Sequence, residues 1–131
     1  MLLTLALIIL CVLIEQCARI FFDTLSYNTG AAFSLFSGSP EFILILSGIS
    51  CAVIILLCLF AGMNKFIRLG LAVMSGGALS NFLERFFLGH VIDWIPSPFQ
   101  FLEINFNLAD VEIILGAFII FLVNFRKDFF S

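Results

Sequence analysis

The chain has 131 residues, of which 63% are hydrophobic, 15% aromatic and 11% charged, less than half the charged share of an ordinary soluble domain. That composition excludes a water-soluble globule, and six Lys and Arg against nine Asp and Glu exclude the basic surface that nucleic-acid phosphates require. Since about 20 apolar residues make one helical crossing of a bilayer, the length holds four crossings in one domain, residues 1–131, with membrane lipid as the surrounding partner.

Taken in chain order, the predicted crossings are residues 1–22, 42–60, 69–88 and 108–125. The first lacks a basic leader and an A-x-A-like cleavage site, and reads as a retained helix rather than a signal peptide. No period-2 alternation is present, which excludes a transmembrane barrel. Lys65, Arg68, Arg126 and Lys127 fall in the second connection and the tail, which an even number of crossings puts on one side. The positive-inside rule makes that side cytoplasmic. The fold class expected is therefore an all-α membrane protein of four helices, N-in and C-in. Glu15, Asp23, Glu41, Glu84, Asp93, Glu103, Asp110 and Glu112 then gather on or toward the outer side, leaving Asp128 within.

Ionisable groups inside a crossing cost at least about 2.5 kcal/mol each on insertion scales, so they usually face protein or water and mark function. Glu15 and Arg19 stand at i and i+4, acid before base, a spacing that predicts a local ion pair acting as a structural clamp. Asn81, Glu84 and Arg85 stand at i, i+3 and i+4, which predicts a polar cluster that could hold a loop or a substrate. Ala72, Gly76 and Ser80 repeat every fourth residue, the small-residue spacing that lets two helix backbones approach. Cys11, Cys17, Cys51 and Cys58 lie in apolar runs without metal-ligand spacing and read as small buried hydrophobes. His90 has no Cys or second His beside it and reads as a surface residue, so neither a metal nor a Ser-His-Asp set is expected.

Asp93 and Asp110 lie at helix boundaries, seventeen positions apart. Two carboxylates can hydrolyse a peptide bond if they share a proton, one drawing a proton from water while the other protonates the carbonyl oxygen. The intervening segment, with Pro96 and Pro98, is long enough to fold back and bring them together. Helix capping by Asp110 and a solvated Asp93 remain the alternative at this point.

Three blocks in order carry a resemblance: Asn28-Thr29-Gly30-Ala31-Ala32-Phe33-Ser34; Ser80-Asn81-Phe82-Leu83-Glu84-Arg85 through Gly89-His90-Val91-Ile92-Asp93-Trp94; and Phe106-Asn107-Leu108-Ala109-Asp110. Together with the four-crossing layout they resemble the lipoprotein signal peptidases, the type II signal peptidases of bacteria. The resemblance implies an aspartyl endopeptidase of the bacterial cytoplasmic (inner) membrane, its site toward the extracytoplasmic face. It would cleave a diacylglyceryl-modified prolipoprotein N-terminal to the lipidated cysteine. Asp93 and Asp110 would be the catalytic pair; Asn28, Asn81, Arg85 and Asn107 would bind substrate or orient them; Glu15, Arg19 and Glu84 would form a structural polar cluster. No cofactor and no metal are implied, and a monomer is expected.

The chain departs from the family pattern at three places. Ser80 and Glu84 stand where the family usually has Gly and Asp, and Glu15-Gln16-Cys17-Ala18-Arg19 stands where it has Asp-Gln-x-Thr/Ser-Lys. Only eight residues separate Arg19 from Asn28, so an abbreviated extracytoplasmic β/loop region is expected. Two alternatives remain: a non-catalytic or repurposed paralogue, and a small proton-coupled transporter in which Glu15 exchanges protons. Transport should depend on Glu15 and proteolysis on Asp93 and Asp110.

Overall fold

Apolar runs with helix-stopping signals at both ends give four long helices in the computed structural model, which describes residues 1–31, 35–60, 62–98 and 104–130, with side chains to 126. They are α1 (Leu2–Phe21), α2 (Pro40–Leu59), α3 (Lys65–Leu88) and α4 (Leu108–Phe130), each long and apolar enough to cross a membrane. Glu103, residues 32–34 of the first motif block and the side chains of Lys127 and Asp128 lie outside what is described.

Local chemistry sets the helix ends. Pro40 opens α2 with its ring at the first helical turn, where a missing N–H costs nothing. The Asn64 side chain accepts from the Phe66 N–H at 2.8 Å, capping α3 four residues earlier than hydropathy places it. Gly89 closes α3 with φ +78° and its N–H on the Arg85 carbonyl, a left-handed cap suited to glycine. α4 runs past residue 125 because Arg126 and Lys127 offer no break.

Inside a bilayer, helices associate through close packing rather than through escape from water. α3 is the central element, packed on α1, α2 and α4, and small residues line two of its faces. A side chain at Gly76 would run into Cys11 of α1; one at Gly77 would run into the Ala109 carbonyl of α4. At Gly70 a Cβ would stand 2.7 Å from the Gly116 carbonyl. The expected small-residue stripe therefore meets α1, and a second glycine face, not anticipated from sequence, meets α4. Ile8, Cys58, Leu71 and Ala72 form the buried apolar cluster toward the far end. Most other large apolar side chains point outward, as lipid contact requires. Among the cysteines, Cys11, Cys51 and Cys58 are buried; Cys17 is exposed on the helix surface, contrary to expectation.

Short strands cover one end of the bundle. β1 (Ser26–Asn28) pairs antiparallel with β2 (Val91–Asp93), Ser26 opposite Asp93. β3 (Ile95–Pro96) pairs with β4 (Asn105–Phe106), Ile95 opposite Phe106. This is the small β region expected over that end. The second pairing folds the chain between Asp93 and Asp110 back on itself, delivering both to the same end of the bundle.

Candidate active site

Asp110 is fixed by the start of α4. The Asn107 Oδ1 accepts from the Asp110 N–H at 2.9 Å, and the Asp110 Oδ2 accepts from the Asn107 N–H at 3.3 Å. This is a reciprocal box that satisfies two backbone donors of a helix N-terminus. From α3, Asn81 Nδ2 donates to Asp110 Oδ1 at 2.9 Å, and Asn107 Nδ2 donates to Asn81 Oδ1 at 2.9 Å. The three side chains close a ring, and Asn107 at its base is 0% exposed. The expectation that the Asn81 amide joins its helix neighbours Glu84 or Arg85 is corrected: it faces α4, because the Gly77 contact brings that helix within reach of a short side chain.

Asp93 has a different setting. It ends β2, is 3% exposed, and its Oδ1 has no hydrogen-bond partner among the described residues. Its backbone carbonyl accepts from the Leu25 N–H at 2.9 Å, so β1 holds the main chain while the carboxyl stays available. Burial first, and then the charge of nearby Asp110, push the Asp93 carboxyl up to about 7, against the opposing pull of the Asn28 amide and the Arg85 guanidinium. The solvated Asp93 considered above is not what is found.

Arg85 reaches the same end from α3. Its Nη2 donates to the Gly30 carbonyl at 3.0 Å and its Nη1 to the Asn81 carbonyl at 3.3 Å. It thus ties the turn after β1 to α3, the helix whose Asn81 donates to Asp110. In that turn the Asn28 Oδ1 accepts from the Gly30 N–H at 2.9 Å, a local Asx turn. Arg85 is the loop holder that the spacing suggested.

The Glu15–Arg19 clamp is not formed. Arg19 Nη1 lies 3.1 Å from Glu84 Oε1 of α3, a charge contact without hydrogen-bond alignment. Glu15, 0% exposed, accepts from Trp94 Nε1 at 3.1 Å. An indole N–H and an acid on a neighbouring helix offer more to these groups than a solvent-exposed i,i+4 pair would. Glu84 does more than balance Arg19: its Oε2 accepts from the Ile92 N–H at 2.8 Å, fastening β2 beside Asp93. Gln16 Nε2 donates to Ser80 Oγ at 2.9 Å and to Glu84 Oε1 at 3.3 Å, so one amide engages both of these α3 side chains.

Sequence reasoning missed Gln16, Trp94 and Glu112. Trp94 stacks on Phe22 with centroids 4.6 Å apart and 15° between planes; its indole N–H goes to Glu15 and its backbone N–H donates to the Phe106 carbonyl at 3.1 Å. The dipeptide Asp-Trp in the second block was the available signal, since a buried indole N–H needs an acceptor. His90 is half-buried, edge-on to Tyr27 with centroids 4.7 Å apart. A cavity of about 250 Å³ lies among Met1, Thr4, Cys58, Leu59, Gly62 and Arg68 at the opposite end; without an acid in its lining, it is not where this chemistry resides.

Two solved structures, each described as a bacterial membrane enzyme, share this fold. One has a TM-score of 0.83 at 20% identity, covering 98% of this chain and 91% of the other; the second has 0.75 at 22%, covering 92% and 90%. The class these likenesses define is the four-helix membrane fold of those enzymes. The family model for signal peptidase (SPase) II matches residues 3–126. A lipoprotein signal peptidase of Nostoc punctiforme is 39% identical over 110 residues, 82% of this chain and 68% of that one. That of Pseudomonas aeruginosa strain PAO1 is 38% identical over 111 residues, 79% and 66%. The chain belongs to the signal peptidase II family of membrane proteases.

Proposed function

We propose that the protein is an aspartyl endopeptidase that removes the signal peptide from diacylglyceryl-modified prolipoproteins, cutting N-terminal to the lipidated cysteine. The observation that carries this reading is the meeting of Asp93 and Asp110 from separate elements, near enough for the charge of one to act on the other, with Arg85 beside both. Membership of the signal peptidase II family supports the substrate class.

In this mechanism Asp93, half-protonated near pH 7, carries the proton. Asp110, whose two oxygens both receive N–H donors, is the carboxylate that draws a proton from water. The water attacks the scissile carbonyl as Asp93 protonates its oxygen; when the tetrahedral intermediate collapses, Asp110 gives its proton to the leaving amine and the intermediate's hydroxyl returns one to Asp93, restoring both carboxyls. Asn81 and Asn107 orient Asp110; Asn28 and Arg85 shape the turn over Asp93 and offer polar groups to the substrate backbone. The chemistry needs neither metal nor cofactor.

Lys65, Arg68 and Arg126 lie at the end opposite the strands, so the positive-inside rule puts the site at the extracytoplasmic face of the inner membrane. There the acyl chains and apolar signal helix of the substrate enter from the bilayer while water arrives from outside. The protein acts as a single domain and as a monomer. The transporter alternative finds no support, because Glu15 is sealed from water and engaged by Trp94.

The test is cleavage of a purified diacylglyceryl-modified prolipoprotein in detergent by the native protein, Asp93→Asn and Asp110→Asn, with folding checked by circular dichroism and gel filtration. Native cleavage lost in both folded variants is expected. Full cleavage by either variant, or none by the native protein on several such substrates, would overturn the reading and favour a repurposed paralogue.

A further inference from the structure

The proposed reaction uses the end of the bundle that the strands cover; the opposite end holds a second feature. The cavity of about 250 Å³ lies there between α1, α2 and the start of α3. Thr4 of α1 and Arg68 of α3 bring a hydroxyl and a cation to its lining, and Met1 and Leu59, both exposed, are apolar walls. Cys58 Sγ donates to the Arg68 carbonyl at 3.6 Å, seating this turn of α3 against α2. Gly62, in the connection between them, has φ +79°, and a Cβ there would meet nothing within 4 Å, so the cavity is open on that side.

Arg68 is held in place without being neutralised. Its Nη2 donates to the Phe60 carbonyl at 3.1 Å, which orients the guanidinium. Its Nε is buried and has no hydrogen-bond partner among the described residues. No Asp or Glu stands before Glu15 or between Glu41 and Glu84, so this end of α1, α2 and α3 brings no carboxylate to it. Asp128, in the tail of α4, follows directly on two cations of its own, Arg126 and Lys127. The other basic side chain of the same turn, Lys65, stands with its Nζ 5.0 Å over the Phe66 ring and takes no part in the lining.

A cation with a buried donor and no acid beside it is costly until an anion completes it. The planar fork of a guanidinium matches phosphate oxygens, which accept parallel N–H bonds. We propose that the cavity between Thr4 and Arg68 is a binding site for a phosphate group, either the headgroup of an anionic lipid or the free anion, whose oxygens accept from Arg68 Nε and from the Thr4 hydroxyl. Met1 and Leu59 give a lipid's acyl chains an apolar surface beside the headgroup, which is how basic pockets between membrane helices hold anionic lipids. Binding here is read without any cleavage, so its outcome stands apart from the peptidase reading.

The test titrates the intact protein, in an uncharged detergent, with phosphatidylglycerol, with diacylglycerol, which lacks the phosphate, and with inorganic phosphate. Thermal unfolding and lipid retention in native mass spectrometry are followed. Phosphatidylglycerol at about ten times its dissociation constant should raise the unfolding midpoint by about 4 °C, and diacylglycerol should not. Stabilisation by the lipid alone identifies a headgroup; equal stabilisation by inorganic phosphate identifies the free anion. Arg68→Gln should weaken either response by about tenfold or more, Thr4→Val by less, and Lys65→Gln by no more than about twofold. Arg68→Lys keeps the charge without the Nε donor; it should lose most of the response, and it carries the test if Arg68→Gln does not fold. No response to either phosphate compound, an equal response to diacylglycerol, a response undiminished in Arg68→Gln or Arg68→Lys, or an equal loss in Lys65→Gln overturns the proposal.

Discussion

Asp93 and Asp110 carry the same carboxyl on opposite kinds of support. Asp110 stands in the first turn of a long helix, with each oxygen on a named donor and both donors tied to Asn107. Asp93 ends a three-residue strand, held through its backbone and leaving Oδ1 without a partner among the described residues. The difference teaches that this end of the bundle separates a fixed acceptor from an available acid by the element that bears each, not by residue type. A helix N-terminus supplies convergent N–H groups; a strand edge in an apolar setting supplies burial and few donors.

The largest effect that would break the comparison is at the carboxyls themselves. Asp93→Asn and Asp110→Asn should each lower cleavage by about 10³-fold, the range of a lost general acid or base. Next comes Asn81→Ala, which removes a donor from Asp110 and an acceptor from Asn107 but leaves the Leu25 N–H bond to the Asp93 carbonyl untouched. It should lower kcat by roughly 10²-fold, and Asn28→Ala, on the Asp93 side, should cost less. Equal losses measured in the two would mean that the acids are not differently supported.

pH sharpens the contrast from the other side. With Asp93 near 7 in the folded protein and about 3.9 unfolded, the native state binds the extra proton between those values. Stability from this group is full below about pH 4 and falls as pH rises toward about 7. The native protein should melt at a lower temperature at pH 8 than at pH 5, and Asp93→Asn should narrow that gap. Cleavage should fall as pH rises through about 7, approaching tenfold per unit, as the acid loses its proton. Thermal melts and a kcat/KM profile check the two limbs.

Smaller effects concern the supports. Glu84→Ala strips acceptors from the Ile92 N–H, Arg19 and Gln16, and should cost about 1–3 kcal/mol of stability in denaturation. Phe22→Ala removes the stack on Trp94 and should cost about 0.5–1.5 kcal/mol.

Much of this was legible in the sequence because it depends on local order. Hydropathy located four helices, and the motif blocks brought Asn28, Asn81, Arg85, Asp93, Asn107 and Asp110 to attention; the structure gathers all six at one end. What sequence could not give is the rotation of one helix against another. Arg19 satisfies the spacing for Glu15 yet meets Glu84, sixty-five positions away, and Asn81 turns from its helix neighbours to α4. Gln16 and Trp94 find partners 64 to 79 positions distant. Such pairings follow from which face of α3 each neighbour occupies, and that is decided by glycines whose significance shows only once the helices are packed.

The contact at Gly77 carries a consequence about length. It stands one turn below Asn81 on α3, so the closeness of the two backbones and the reach of the amide are set together: with no side chain at 77, the two-bond arm of asparagine spans the seam at 2.9 Å. A methyl at 77 would drive the helices apart by on the order of one carbon–carbon bond, about 1.5 Å, and the arm would fall short by that amount. Glutamine is longer than asparagine by the same increment. Helix spacing and amide length thus behave as two terms of one fixed distance, in which a loss on one side is recoverable on the other.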